Sequence, residues 1–288
     1  MNIYFKNLAV SFLLLTCMQS IAAITPYSQD FESMSLASVD NQFGPSSELS
    51  VDGWEITGNV FTGNPSGATQ YGDYLYFYGS WYDAPNSTDG SFSAVQAGDT
   101  TKDDIGTNYL MVYNDYNNIW AHEAGEIVNA IIAKRTNITY EDIGKTLTFR
   151  FDAKRPEAID DGFGGDGSHA VGNNCLSICT SQAFIRTYDA NGNYDLTNSI
   201  IGDTTSIPQT GWTSYTFTLE LTDSLLIGQE LHVGFENFAT NYENSAVYYD
   251  NISISTSAVP LPAGIYLFLS GLVGLGLMKG KNGHSARH

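Results

Sequence analysis

Aromatic side chains are concentrated in two segments of this sequence. Residues 71–82 contain seven aromatic residues in twelve positions, and residues 113–120 mix aromatic rings with asparagine amides. Sugar rings stack their C–H faces on aromatic rings, and sugar hydroxyls form hydrogen bonds with amide and carboxylate groups. Either segment could form such a platform, although alternating rings in a strand are more often core residues. Trp54 and Trp212 are expected to be structural. The residues expected to contact a ligand are Trp81, Tyr82, Tyr116 and Trp120.

The sequence offers little support for catalysis. His122-Glu123-Ala-Gly-Glu126 contains only the first half of the zinc-protease helix motif, because Glu126 stands where the second histidine is required. No Gly-x-Ser-x-Gly nucleophile elbow occurs. The pair of carboxylates that a glycosidase needs is defined in space and not in sequence. A glycoside hydrolase or a polysaccharide lyase therefore stays an alternative.

Charge restricts the class of partner. All 31 acidic residues lie between Ile24 and Ala258, together with eight basic residues, which leaves this part of the chain with a formal charge of −23. Such a surface repels nucleic acids and anionic polymers unless a cation bridges the two. Neutral polysaccharides, or polysaccharides bridged by calcium, are the expected partners, and nucleic acid is not.

Two cysteines, Cys175 and Cys179, lie close together in this acidic region. An oxidising compartment favours a disulfide between them. A zinc site would need four ligands, and only His169 lies nearby in sequence. We therefore expect a small disulfide loop.

The elements that must position these residues are β-strands. In residues 145–154, Leu147, Phe149 and Phe151 alternate with polar residues, which is the pattern of a half-buried antiparallel strand. Asn191-Gly192 predicts a hairpin turn, because both residues tolerate positive φ. The predicted strands cover residues 28–33, 52–61, 73–79, 108–114, 125–132, 145–154, 181–189, 193–200, 212–221, 229–237 and 246–256. The predicted loops cover residues 62–72, 83–106 and 155–180. This pattern predicts an all-β fold, an antiparallel β-sandwich of the jelly-roll type.

The first 23 residues have the composition of a secretory signal peptide. Lys6 precedes an uncharged run from Leu8 to Met18, and small residues follow, with a cleavage site after Ala22 or Ala23. Lipidation of Cys17 is the alternative, but Thr16 before it is too large for the usual pattern. We expect residues 1–23 to be removed and residues 24–256 to form the β-sandwich domain.

Residues 257–288 contain a hydrophobic segment with a specific beginning. Twenty uncharged residues run from Val259 to Met278, enough for a helix to span a bilayer, and Lys279 and Lys281 follow them. The first five are Val259, Pro260, Leu261, Pro262 and Ala263. This order of parts resembles the VPLPA variant of the PEP-CTERM sorting signals. The resemblance implies a precursor held transiently at the inner membrane, processing by an exosortase-type protease, and delivery to the outer envelope or an exopolysaccharide matrix. A plain membrane anchor is the alternative.

The domain itself carries a second resemblance. Several of its segments occur in an order that resembles the galactose-binding-like jelly roll of carbohydrate-binding modules in families 4, 9 and 22. These segments are Phe31-Glu32, Gly53-Trp54, Tyr109 to Tyr113 followed by Trp120, Gly144 to Phe149, Gly211 to Tyr215 and Val247 to Ile254. The resemblance implies carbohydrate binding and a structural calcium ion held by Glu32 and Asp250. Our sequence-based hypothesis is an exported, non-catalytic carbohydrate-binding or matrix protein. The alternatives are an enzyme, as above, and a structural surface adhesin.

Overall fold

Two antiparallel β-sheets account for most of the described residues in a computed structural model. The structure describes residues 23–35, 48–62, 73–80, 93–97, 107–113, 126–155, 179–189, 194–208, 210–240 and 246–259. In these residues the strands are β1 (Tyr27–Gln29), β2 (Trp54–Phe61), β3 (Tyr74–Ser80), β4 (Ser93–Ala97), β5 (Asn108–Tyr113), β6 (Ile127–Asn137), β7 (Lys145–Lys154), β8 (Cys179–Asp189), β9 (Asp195–Asp203), β10 (Thr213–Leu221), β11 (Glu230–Thr240) and β12 (Ala246–Ala258). One short helix, α1 (Glu48–Val51), and two 3-10 turns, Tyr140–Asp142 and Ser224–Leu226, complete the described elements.

The chain crosses repeatedly between the two sheets. Sheet I has the strand order β10-β7-β12-β5-β4, with β1 also pairing with β12, and sheet II has the order β3-β2-β6-β11-β8-β9. All pairs are antiparallel. The predicted antiparallel β-sandwich is confirmed, whereas the jelly-roll type stays a prediction.

The core lies between the sheets and is rich in aromatic rings. Leu147, Phe149 and Phe151 of β7 are buried, as their alternation predicted, while Arg150 is exposed. The Phe151 ring meets the Phe235 ring of sheet II edge to face, with ring centroids 5.1 Å apart. Burial of such rings is the main force that holds the two sheets together.

Most of the predicted strands are present at their expected places, but one strand was missed. β4 (Ser93–Ala97) lies inside the segment 83–106, which was predicted to be a loop, so that prediction is wrong there. The sequence Ser-Ala-Val-Gln-Ala has one β-branched residue and little alternation, and its strand conformation depends on pairing with β5. The predicted hairpin is confirmed by the antiparallel pairing of β8 with β9, although Asn191 and Gly192 themselves lie outside the described residues.

The two ends of the chain lie largely outside the described part. Residues 1–22 and 260–288, which include most of the predicted signal peptide and sorting segment, are not described. Among the described residues, no helix has the length and apolarity needed to cross a bilayer. β12 ends at Ala258, and the backbone N–H of Val259 donates to the carbonyl oxygen of Gly144 at 3.0 Å. The predicted sorting motif therefore begins directly after β12, the last described strand.

Candidate functional site

The outer face of sheet II, on the side away from the core, carries buried polar side chains. In β11, Leu231, Val233 and Phe235 belong to the core, so the alternate residues point to the opposite face. Glu236 is one of these outer residues, and it is only 2% exposed. A buried carboxylate on the outer side of a sandwich is unusual, because buried charge is costly unless it is paired.

Glu236 is held by three donors from neighbouring strands. Its Oε2 accepts from Arg186 Nη2 at 2.6 Å and from Gln182 Nε2 at 2.7 Å, and its Oε1 accepts from Asn129 Nδ2 at 2.6 Å. The donors come from β6 and β8, which flank β11 in the sheet. We call these four residues the Glu236 network. It is a preorganised set of planar polar groups at the centre of the face.

Among the described residues, one atom of the network has no hydrogen-bond partner. Asn129 is 3% exposed, yet its Oδ1 accepts no hydrogen bond from them. Such buried acceptors are rare in folded proteins, and each calls for an explanation such as a ligand or an ordered water. Because this atom is itself buried, an ordered water suits it better than a ligand at the surface.

Aromatic rings adjoin the Glu236 network on the same face. The buried residues Ile127 and Phe238 pack with Phe61, and the Phe61 ring meets the Tyr74 ring edge to face at 5.8 Å. Phe77 is the register partner of Asn59, which is in turn the partner of Asn129. Tyr74 and Phe77 are 57% and 52% exposed. We call Phe61, Tyr74, Phe77 and Phe238 the aromatic patch.

The exposure of these rings differs from one sequence-based expectation. Rings at alternating positions of residues 74–78 were expected to be core residues, and Tyr74 is not. The reason is the position of β3 at the edge of sheet II, where, among the described strands, it pairs only with β2 and with two irregularities in register. Of the rings expected in the core, Tyr74 is thus available for stacking.

His232 is a further polar residue of β11 on the outer face of sheet II. His232 lies between Arg135 and Arg186 in register. Burial lowers the pKa of His232, and the charge of Arg135 lowers it further, against the opposing effect of Glu230. The imidazole is therefore neutral near pH 7, and it offers hydrogen-bonding atoms without adding charge.

Two of the four tryptophans, Trp54 and Trp212, lie among the described residues. Trp54 is 1% exposed in the core, as expected. Trp212 is half-buried, with its ring 6.0 Å from that of Tyr109. The predicted ligand contacts Trp81, Tyr82, Tyr116 and Trp120 lie outside the described residues, so their role stays a prediction. Cys175 also lies outside them, and Cys179 begins β8, so the disulfide stays a prediction as well.

The two predicted calcium ligands lie at the same end of sheet I. β1 pairs with β12, with Gln29 opposite Ile252, so continuing this register brings the turn at Glu32 towards Asp250. Glu32 is exposed, and its Oε1 accepts from the backbone N–H groups of Thr107 and Asn108 at 2.8 and 2.7 Å. Glu32 therefore already joins the turn after β1 to the start of β5.

Asp250 has a different environment. It is 1% exposed and is the register partner of Asp152, whose Oδ2 accepts from Asn251 Nδ2 at 2.8 Å. Two carboxylates at directly opposite positions repel each other, and oxygen-rich junctions of this kind suit calcium. Lys154 is also buried and lies two residues from Asp152 on the same strand, so an ammonium group is a competing source of positive charge. In the described part of the chain, no three His, Cys, Asp or Glu side chains form a metal-binding group.

Sequence reasoning did not identify the Glu236 network. Its sign in the sequence is Glu236, which follows the alternating apolar residues Leu231, Val233 and Phe235, and this sign does not reveal which residues lie opposite. Asn129 and Glu236 are 107 residues apart in sequence, and Arg186 and Glu236 are 50 apart. Only strand order and register bring them together.

No protein-family model and no curated protein matches the sequence. Several solved structures are similar in shape. A Stig cyclase from Fischerella sp. TAU, in complex with an indole compound, is 15% identical with a TM-score of 0.45, and the match covers 82% of this chain and 100% of the cyclase. The C-terminal family 22 carbohydrate-binding module of Clostridium thermocellum Xyn10B is 13% identical with a TM-score of 0.35, covering 82% and 95%. TmCBM61 in complex with β-1,4-galactotriose is 8% identical with a TM-score of 0.32, covering 59% and 85%. All these TM-scores are below 0.5, so the likeness assigns neither a family nor an activity to this chain.

Proposed function

We propose that this protein binds polysaccharide without catalysing its breakdown, and that the outer face of sheet II is the binding site. The observation that carries this proposal is the placement of two exposed rings, Tyr74 and Phe77, next to the Glu236 network. Rings provide stacking surfaces for sugar C–H faces, and the amide, guanidinium and carboxylate groups match sugar hydroxyls.

The glycan that fits this face best is neutral. The formal charge of −23 over residues 24–258 disfavours an anionic polymer, except through bridging calcium. The single arginine of the network is already paired with Glu236 at 2.6 Å. An uncharged, hydroxyl-rich polysaccharide is not repelled by this charge and does not need an unpaired arginine.

A glycan array followed by affinity measurements tests this function. We expect wild-type protein to bind at least one neutral polysaccharide, and Phe77→Ala to weaken that binding by about 1–3 kcal/mol, as loss of an aromatic contact does in other interfaces. Because Phe77 is 52% exposed, the melting temperature of the Phe77→Ala variant should stay close to that of wild-type protein. Tyr140→Ala is the control, since Tyr140 is also exposed but lies on a 3-10 turn outside sheet II.

The other outcomes of this test identify the alternatives. Release of sugar products from a bound polysaccharide would contradict the non-catalytic function and favour a glycoside hydrolase or a lyase. Failure to bind any glycan would favour a structural adhesin. Equal affinity of wild-type protein and Phe77→Ala would place the site elsewhere, with Trp81, Tyr82, Tyr116 and Trp120 as the next residues to replace.

We also propose a structural calcium ion at Glu32 and Asp250, with Asp152 and Asn251 as neighbouring oxygen donors. Calcium would offset the repulsion between Asp152 and Asp250 and hold the ends of the domain together. An ion that binds only the folded state stabilises it by about 2.7 kcal/mol at a hundredfold excess over its Kd. We expect a chelator to lower the melting temperature of wild-type protein but not that of Asp250→Asn. An unchanged wild-type transition would leave Lys154 as the group that balances these carboxylates.

Export and sorting complete the proposal. Residues 1–23 would direct the chain across the inner membrane, and the motif from Val259 to Ala263 would be recognised by an exosortase-type protease. The mature protein would then end near residues 259–263 and be delivered to the outer envelope or extracellular matrix. The position of Val259 directly after β12 supports this, because cleavage there would leave every described strand intact.

A further inference from the structure

The chain enters the folded domain at Ile24. This residue is 5% exposed and belongs to the main core cluster. Its backbone nitrogen donates to Asp142 Oδ1 at 2.9 Å, in a buried contact between residues 118 positions apart. Ala23, the residue before it, is only half-buried. The buried part of the domain therefore begins at the nitrogen atom of Ile24.

Asp142 is a fully buried carboxylate in the 3-10 turn Tyr140–Asp142. Its exposure is 0%, and its Oδ2 accepts from the backbone nitrogen and the hydroxyl of Thr139 at 2.9 and 2.7 Å. The ammonium group of Lys145 lies 3.9 Å from Oδ1, beyond hydrogen-bond distance, on a side chain that is 31% exposed. A buried carboxylate is costly unless a positive charge lies close to it. A closer cation than Lys145 would suit this position.

We propose that the signal peptide is cleaved between Ala23 and Ile24, and that the new α-ammonium group of Ile24 forms an ion pair with Asp142. The step is hydrolysis of one peptide bond by a signal peptidase: water supplies the second carboxylate oxygen of Ala23 and protons to the nitrogen of Ile24. This nitrogen already lies 2.9 Å from Asp142 Oδ1, so cleavage would create the positive charge within hydrogen-bond distance of the carboxylate. The inference rests on the proposed export of the protein.

The alternative cleavage site would not have this effect. Cleavage after Ala22 would place the ammonium group on Ala23, and the nitrogen of Ile24 would remain an uncharged amide. Both Ala22 and Ala23 are small enough to precede a signal peptidase site. The buried contact with Asp142 is what distinguishes them. Processing would then stabilise the domain, because charge-assisted hydrogen bonds are roughly twice as strong as neutral ones.

N-terminal sequencing and intact mass of the exported protein provide the first test. We expect Ile24 as the first residue, and any other first residue overturns the inference. The same intact mass shows where the C-terminus lies, and we expect Lys279 to be absent. The presence of Lys279 would contradict the proposed sorting but not the cleavage at Ile24. A wholly unprocessed chain would overturn the export proposal and the cleavage site together, whereas glycan binding is measured separately.

Stability measurements on purified protein test the ion pair itself. Three forms are compared near pH 6.5, where an α-amino group is protonated: protein beginning at Ile24, the same protein acetylated at Ile24, and protein extended by Ala22 and Ala23. Acetylation keeps an N–H donor and removes the charge. We expect the folding equilibrium constant of the Ile24 form to exceed that of both other forms by about tenfold. Equal stability of the three forms overturns the ion pair.

Substitution of Asp142 tests whether this residue is the partner of the Ile24 ammonium group. In Asp142→Asn, the advantage of the free Ile24 terminus should disappear, because its partner has no charge. In Glu141→Gln, an exposed acid on the same turn, the advantage should persist. Persistence of the advantage in Asp142→Asn would overturn the assignment to Asp142. If Asp142→Asn does not fold, the comparison of free and acetylated Ile24 in wild-type protein still decides the question.

Discussion

Replacing Glu236 by alanine is expected to lower the free energy of unfolding by about 3–5 kcal/mol, the typical cost of removing one partner of a buried ion pair. The guanidinium of Arg186, whose side chain is 10% exposed, loses the carboxylate at 2.6 Å. Gln182 and Asn129 lose their acceptor at the same time. Urea unfolding of the purified protein measures the change.

A matched control lies on the same face. Glu55 pairs with Arg135 at 3.1 Å, and the two side chains are 51% and 32% exposed. Exposed pairs contribute only about 0–1 kcal/mol, so Glu55→Ala should change stability little. A loss for Glu236→Ala as small as that for Glu55→Ala would contradict a buried, tightly paired network.

A double-mutant cycle separates stability from binding. Arg186→Met and Glu236→Leu together should cost less stability than the sum of the two single substitutions, because each single substitution leaves an unpaired buried charge and the double variant leaves none. The double variant should nevertheless bind glycan more weakly than wild-type protein does. Additive losses of stability would show that the two side chains do not act as a pair. Unchanged glycan affinity would show that the Glu236 network takes no part in binding.

Raising the pH above about 10 is expected to destabilise the protein steeply through two tyrosines. Burial raises the pKa of Tyr249, although hydrogen bonds with Ser181 and Thr204 act in the opposite direction. Burial also raises the pKa of Tyr27, and its hydrogen bond with Asp52 raises it further. Both phenols therefore stay protonated in the folded state at pH values where they ionise in the unfolded chain.

The sign of the effect follows from proton binding. Below about pH 10, both states hold these protons, so the stability is fully present. Above about pH 10, the unfolded state releases them first, and each tyrosine then removes about 1.4 kcal/mol of stability per pH unit. Urea unfolding from about pH 9 to 11.5 measures this slope.

Substitutions assign the slope to particular residues. Tyr249→Phe should reduce the pH dependence by about one proton, because Tyr249 is 0% exposed. An identical slope in wild-type protein and Tyr249→Phe would show that other groups cause the alkaline loss.

Much of the fold could be predicted from local patterns. The alternation of Leu147, Phe149 and Phe151 identified β7 and its core face, because strand periodicity is a property of neighbouring residues. The same reasoning failed for β4, whose residues have weak strand preference and depend on β5 as a partner. It also failed for Tyr74 of β3, because alternation does not reveal whether a strand lies at the edge of a sheet.

The sequence by itself determined that this chain forms antiparallel strands around an aromatic core and carries a strongly acidic surface, because side-chain periodicity and charge do not depend on distant contacts. Only the tertiary structure decided which residues share a face. Strand order places Glu236 beside Arg186 and Asn129, places β3 at an edge where Tyr74 and Phe77 are exposed, and brings Ile24 to Asp142. Pairing between strands far apart in the chain depends on the total burial of both sheets, and no local pattern encodes it.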